Sequence, residues 1–225
     1  MPLDAVDILE AALAEWNIVL THEQRVCFDK YAHLLVDWNA HRMNLTRLVS
    51  ENDIAIGHFL DSLAITQVCR IPNKAKLLDV GSGAGFPGLA IKIMRPDLHV
   101  TLLEATAKKL LFCSEIIETC NLSDVETIHG RAEETGETRQ NRGMFDVITA
   151  RAVAPMSTLI PWTAGYLAPG GVLVAWKGPA AQEEMESARD VVRQMRIRWR
   201  IVPVTFPLSG EPPRVHQYVL CQREV

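Results

Sequence analysis

The chain contains no apolar run near the roughly 20 residues needed to span a bilayer, and its opening Met1-Pro2-Leu3-Asp4 lacks the basic start of a secretory signal. Neither a membrane protein nor a secreted one is expected, and the expected location is the cytoplasm. Its 5 cysteines (Cys27, Cys69, Cys113, Cys120, Cys221) include no C-x-x-C pair, which argues against a disulfide framework and a zinc site. They are expected to be reduced and mostly buried, and no metal is expected. An excess of positive charge is also missing. With 23 Lys and Arg against 27 Asp and Glu, the net charge of -4 argues against indiscriminate nucleic-acid binding. A local patch remains open, because arginines gather at Arg189, Arg193, Arg196, Arg198 and Arg200, and at Arg42, Arg47, Arg139, Arg142 and Arg151. There is no internal repeat and no low-complexity segment.

What is present is the composition of an ordinary globular protein, 225 residues with 48% hydrophobic and 22% charged, enough for one core. The first third reads as helical. Val6, Leu9, Leu13 and Trp16 recur at helical spacing over about 4 to 19. Thr21 followed by Gln24 is a capping-box pattern that opens a second helix with Val26, Phe28, Tyr31, Leu34, Leu35 and Trp38. A third begins after Ser50 and carries Ile54, Phe59, Leu63 and Ile65 until Ile71-Pro72-Asn73-Lys74 breaks it.

From Lys76 the rhythm changes to apolar runs alternating with helical segments. Strands are expected at Leu77 to Val80, His99 to Leu103, Val125 to His129, Phe145 to Thr149 and Gly171 to Trp176. Helices are expected near Pro87, over 106 to 120, from Ser157 and from Ala180 to Met195. Helical crossovers require parallel pairing, so the fold class is α/β, a Rossmann-like, mostly parallel sheet behind an N-terminal helical extension. Arg196 to Phe206 and Arg214 to Gln222 have only Ser209-Gly210-Glu211-Pro212-Pro213 as a turn between them, and should form an antiparallel hairpin at the sheet edge.

The first strand runs into Leu77-Leu78-Asp79-Val80-Gly81-Ser82-Gly83-Ala84-Gly85. Gly81, Gly83 and Gly85 spell G-x-G-x-G and not the dinucleotide G-x-G-x-x-G, because Phe86 stands where the last glycine would be. With Asp79 ahead of it, the loop resembles the first motif of class I S-adenosylmethionine-dependent methyltransferases. The difference has a physical basis: a dinucleotide places a doubly negative pyrophosphate on the helix N-terminus, whereas S-adenosylmethionine carries a sulfonium and an ammonium, which a nearby carboxylate suits. Glu104 ends the next apolar run, where it either accepts from ribose hydroxyls or caps the following helix.

Further segments narrow the likeness. Trp38-Asn39-Ala40-His41-Arg42-Met43-Asn44-Leu45-Thr46, His58-Phe59-Leu60-Asp61-Ser62-Leu63, Asp79 through Gly88, Gly130-Arg131-Ala132-Glu133-Glu134, Ala150-Arg151-Ala152 and Lys177-Gly178 together resemble, over nearly the whole chain, the bacterial 16S ribosomal RNA guanine-N7 methyltransferases once called glucose-inhibited division protein B. The resemblance implies methyl transfer to N7 of one guanine, position 527, of 16S ribosomal RNA in the small ribosomal subunit; another RNA, a small molecule, or a non-catalytic nucleotide-binding module are the alternatives. Length and the change of rhythm make a single domain expected, 1-225, with or without a small appendage, divided into an N-terminal helical part (1-72) and a cofactor-binding core (73-225). The loop and the strand end make Asp79, Gly81, Gly83, Gly85 and Glu104 candidate cofactor contacts, and the family's contacts carried onto this sequence fall at Gly81, Phe86, Ala132, Glu133 and Arg151. Of these, Ala132 and Glu133 would border the adenine unless they only start a helix. Relatives often have an aspartate where Glu104 stands, which keeps the carboxylate and alters its reach.

Guanine N7 has an in-plane lone pair and no proton, so its methylation needs no general base. Signatures of other targets are missing: no Asp/Asn-Pro-Pro-aromatic loop follows the fourth strand, and there is no Pro-Cys for cytosine C5 attack. Arg151 and Lys177, at the ends of the fourth and fifth strands, are the candidate catalytic residues. Arg151 would bind a phosphate or the guanine O6 face, unless it is a surface ion pair; Lys177 would contact an RNA phosphate. His58 and Asp61 are either a structural pair or, for His58, part of an RNA-facing wall with Asn39 and Asn44. Arg196, Arg198 and Arg200 should share one strand face, solvated or RNA-binding.

Overall fold

The computed structural model describes residues 4–135, 142–206 and 214–223. The start of the chain, Arg139 and the turn at Ser209 to Pro213 lie outside the described residues.

Side-chain caps start the first helices. Asp4 accepts the Asp7 N–H at 2.8 Å at the head of α1 (Ala5–Ala14). Thr21 and Gln24 form the expected capping box of α2 (His22–His41). Gln24 Nε2 also donates to Ile93 O and Met94 O, so the cap ties α2 to the rest of the fold. The first helix stops at Ala14, short of the expected 19. Asn17 takes a left-handed φ of 56° and Ile18 N–H reaches back to Leu13 O at 3.0 Å, a helix-terminating wrap. Along α2 the expected face is buried at Phe28, Tyr31, Leu35 and Trp38, while Val26 is exposed. Ser50 Oγ accepts the Asp53 N–H where the third helix was expected, but the segment is a π-helix over Asp53–Leu60, followed by α3 (Asp61–Leu63) and α4 (Ile65–Val68). Apolar spacing read against a 3.6-residue period cannot reveal the wider turn.

Among the described residues the sheet has 7 strands in the order β3-β2-β1-β4-β5-β7-β6. They are β1 (Lys76–Val80), β2 (His99–Glu104), β3 (Val125–His129), β4 (Phe145–Arg151), β5 (Leu167–Lys177), β6 (Ile197–Phe206) and β7 (Arg214–Arg223). The first five pair in parallel; β7 pairs antiparallel with both β5 and β6. The expected hairpin is therefore present, with β6 outermost. Helices α5 (Gly88–Met94), α6 (Ala107–Thr119), α7 (Ala132–Thr135) and α8 (Met156–Ala164) make the crossovers, joined by α9 (Ala181–Ser187) and α10 (Arg189–Gln194). The helix expected from Ala180 to Met195 divides at Ala188, whose N–H is shared between Glu184 O and Met185 O. Arg196 has φ 53° and precedes β6, so only Arg198 and Arg200 of the expected arginine face belong to the strand.

Two apolar clusters sandwich the sheet. In one, Phe28, Tyr31, Leu35 and Phe59 pack with Leu77, Leu102 and Val147, so the N-terminal helices share a core with the sheet. In the other, Met156, Leu159 and Met185 cover Leu78, Ile148 and Leu173. Strand order reverses between β1 and β4, and the crevice at their carboxyl ends is where an open α/β sheet takes a ligand. Among the described residues no helix is long and apolar enough to cross a membrane.

Candidate active site

The loop after β1 lies in that crevice. Gly81, Gly83 and Gly85 have φ of 66°, 57° and 85°, left-handed values that glycine adopts without the Cβ penalty. A Cβ on Gly85 would meet Tyr31 Oη and Leu89 Cδ1 at 2.6 Å, whereas one on Gly83 would meet nothing nearer than Gly81 O at 3.8 Å. Gly85 is thus confined by packing, and Gly83 borders open space.

Asp79 does not face that space. Its carboxylate is fully buried, accepting from Thr149 Oγ1 at 2.8 Å and from the Gly88 N–H at 2.9 Å, and burial pushes its pKa up to about 7. It fastens the loop's far end to β4. Glu104 is buried at the crevice: Oε2 accepts the Gly83 N–H and Oε1 the Thr106 N–H, both at 2.9 Å. Thr106 is the N-cap residue of α6, so Glu104 braces both the glycine loop and the helix start. Ala132 is buried, its carbonyl accepting from Tyr166 Oη at 3.0 Å, and Glu133 Oε1 lies 3.8 Å from Arg131 Nη1.

Phe86 forms the middle of a stack. Tyr31 lies on it at 4.9 Å and 4° between planes, and His58 at 4.6 Å and 6°. Tyr31 also donates to Ala84 O at 2.5 Å, so α2 holds the loop from behind. The Arg151 guanidinium carbon sits 5.3 Å from the centre of the Phe86 ring, within cation–π range.

Arg151 commits three of its five N–H donors to the protein. Nη1 donates to Gly57 O at 2.9 Å and to Asp61 Oδ2 at 3.0 Å, and Nη2 donates to His58 Nδ1 at 3.1 Å. Because His58 Nδ1 accepts, its proton is on Nε2, which contacts Thr46 Oγ1 at 3.0 Å. Burial and the adjacent Arg151 cation lower the His58 pKa to about 4, consistent with a neutral ring. His58 and Asp61 are therefore not bonded to each other; they meet on Arg151. Asn39 Oδ1 accepts the N–H groups of Leu45 and Thr46, which shapes the segment that holds His58.

Asp61 is the hub that sequence reasoning missed. Besides Arg151, its carboxylate accepts from His216 Nδ1 at 3.0 Å and Tyr218 Oη at 3.1 Å, and its backbone carbonyl accepts from Trp176 Nε1 at 2.9 Å. Burial pushes the acid upward, but the His216 and Arg151 donors outweigh it and hold the carboxyl below its usual range. The quoted His58 to Leu63 segment contains Asp61, but no spacing rule links it to a histidine 155 positions away. Lys177 Nζ donates to Ala154 O and pairs with Glu184 Oε2, both at 2.7 Å. Asp61, Arg151, Val153, Lys177, Glu184 and His216 line one cleft of about 520 Å³ at the ends of β4 and β5. Val153 also borders Gly81, so the cleft adjoins the glycine loop.

A parallel sheet with this strand order, a glycine loop at the switch point, an acid ending β2 and an antiparallel final pair define the class I methyltransferase fold. Solved structures agree on the fold: precorrin-6y C5,15-methyltransferase of Geobacter metallireducens superposes with TM-score 0.56 at 12% identity, covering 80% of this chain and 92% of that one. TYW2 of P. horikoshii in complex with MeSAdo gives 0.56 at 14%, covering 73% and 61%. The family model described as rRNA small subunit methyltransferase G matches residues 24–205. A protein named ribosomal RNA small subunit methyltransferase G from Thermoanaerobacter sp. (strain X514) is 38% identical over 192 residues, 85% of this chain and 80% of its own length. One of the same name from Streptococcus pyogenes serotype M12 is 42% identical over 181 residues, 80% and 76%. The chain belongs to the GidB family, rRNA small subunit methyltransferase G.

Proposed function

We propose that this chain transfers a methyl group from S-adenosylmethionine to N7 of one guanine of 16S ribosomal RNA, within the small ribosomal subunit and in the cytoplasm, with residues 1-225 acting as one domain. The observation that carries the reading is the glycine loop tied to Glu104 at a sheet switch point, in a chain of this family.

The residues fit the donor. Gly83 leaves open space beside a left-handed backbone, and Ser82 Oγ is buried in the same loop without a hydrogen-bond partner among the described residues. Gly81, Gly83, Gly85 and Phe86 would hold it from the loop, Glu104 would accept from its hydroxyls, and Ala132 and Glu133 would border its base. Asp79 acts behind them as a fastening. When bound, S-adenosylmethionine supplies an electrophilic methyl group on a sulfonium.

Guanine N7 offers a lone pair and has no proton to lose, so the chain needs to align rather than to abstract. Alignment alone can contribute about 7–11 kcal/mol. Arg151 and Lys177 stand on the substrate side, where their hydrogen bonds and ion pairs fix the walls of the cleft that would receive the RNA.

The test is to incubate the protein with tritiated S-adenosylmethionine and small subunits lacking the modification, then map label by borohydride and aniline cleavage at 7-methylguanine. One cleavage in the 16S chain is expected. Label elsewhere, or none despite measurable donor binding, overturns the assigned target.

A further inference from the structure

The two cations at the cleft are turned toward the protein: Arg151 donates to Gly57 O, Asp61 and His58, and Lys177 donates to Ala154 O and pairs with Glu184; their side chains are 19% and 11% exposed. Neither cation can accept a hydrogen bond, so the donor edge of a base in this cleft needs an acceptor from another residue. His216, on β7, lines the same cleft with its side chain 42% exposed. It lies beyond residues 24–205, the span that the family model matches.

Its ring is held in one orientation. Nδ1 lies 3.0 Å from Asp61 Oδ1, and the ring packs against Phe206 with centroids 4.4 Å apart. The partner is a carboxylate, which only accepts, so Nδ1 carries the proton. In the neutral ring Nε2 is then an acceptor, and it has no hydrogen-bond partner among the described residues. Asp61 cannot swing away, because Arg151, Tyr218 and Trp176 bind it from other sides.

Guanine carries donors on the edge opposite N7, at N1 and the 2-amino group, and single-stranded bases are commonly read on that edge. We propose that His216 is a substrate-contacting residue whose Nε2 accepts a hydrogen bond from that donor edge of the target guanine, with Asp61 as the positioning residue that sets its tautomer and angle. An acceptor there grips the base without obstructing N7. The inference rests on the proposed reaction and adds a residue to it.

The experiment compares H216A and H216Q with the unaltered protein in steady-state methyl transfer to unmodified small subunits, with calorimetric S-adenosylmethionine binding and thermal melting measured alongside. In H216A the KM for subunits should rise about tenfold, the effect of one unmade neutral hydrogen bond, with kcat and donor affinity held. H216Q, whose amide oxygen retains an acceptor, should recover most of the loss. An unchanged KM in H216A, or a fall in kcat alone, overturns the role of His216 and leaves the proposed reaction standing. If the unaltered protein does not label subunits, the proposed reaction fails and this inference fails with it.

Discussion

The N–H of Gly83 donates to the carboxylate of Glu104 across 2.9 Å, joining the turn after β1 to the last residue of β2. This bond is charge-assisted and buried, the kind whose loss is felt. In E104A the loop loses its brace and the donor its acceptor, so the dissociation constant for S-adenosylmethionine should rise about 10- to 100-fold, from a contribution of roughly 1.5–3 kcal/mol. Isothermal titration measures it.

Two glycines of the same region should separate folding from binding. In G88A the new Cβ meets Leu102 Cδ2 at 2.7 Å and Asp79 Oδ2 at 2.8 Å, an overpacked core that should cost about 1–3 kcal/mol by urea unfolding. In G83A the Cβ finds no atom within 3.8 Å, and the cost to folding should be only the roughly 1–2 kcal/mol of a left-handed non-glycine residue. Donor binding should nevertheless be lost in G83A, because the open space is the space the donor needs.

Buried titratable groups give stability a pH signature. His58 has an ordinary pKa of 6.5 and about 4 in the fold, so below 6.5 the unfolded chain takes up a proton that the native ring refuses. Its contribution is present above pH 6.5 and is lost as pH falls toward 4, by about 3 kcal/mol at ~1.4 kcal/mol per unit. Asp79 acts in the opposite sense: its pKa rises from 3.8 to about 7, so its contribution is present at low pH and is lost as pH rises toward 7. The stability gap between the unaltered protein and H58Q should therefore narrow by about 3 kcal/mol between pH 6.5 and 4. Urea midpoints across that range test it.

Arg151 distinguishes a fork from a point charge. R151A leaves the buried Asp61 without its cation and should cost about 3–5 kcal/mol. R151K keeps the charge but cannot reach Gly57 O, Asp61 and His58 together, and should cost about 1–2 kcal/mol. Thermal melting ranks them, and a lysine variant as stable as the unaltered protein would contradict the role given to the fork.

Local rules made much of the fold legible. Thr21 and Gln24 cap α2 because that motif satisfies its own backbone donors, and the alternation of apolar runs with helical segments implied parallel pairing before any strand was seen. The glycine loop is legible for the same reason, because its spacing serves a local turn at a strand end, whereas its bond to Glu104 crosses 21 positions to the end of the neighbouring strand. Asp79 is a candidate cofactor contact in the sequence, and its carboxyl is buried against Thr149 and Gly88, because a short side chain inside a strand points wherever the pleat directs it. The Asp61 hub was illegible, since Arg151, Trp176, His216 and Tyr218 reach it from three different strands. The π-helix that presents Gly57 O and His58 to Arg151 left no mark in apolar spacing for a related reason: one widened turn shifts a face without changing which residues are apolar.

The place of β7 between β5 and β6 has a consequence for the order of synthesis. A ribosome emits β6 before β7, its partner among the described residues, so β6 waits unpaired until β7 follows it. His216 and Tyr218 travel with β7, so Asp61 receives them 155 and 157 positions after it has itself been made. The cleft therefore gains its β7 wall only after β4 and β5 have supplied Arg151 and Lys177.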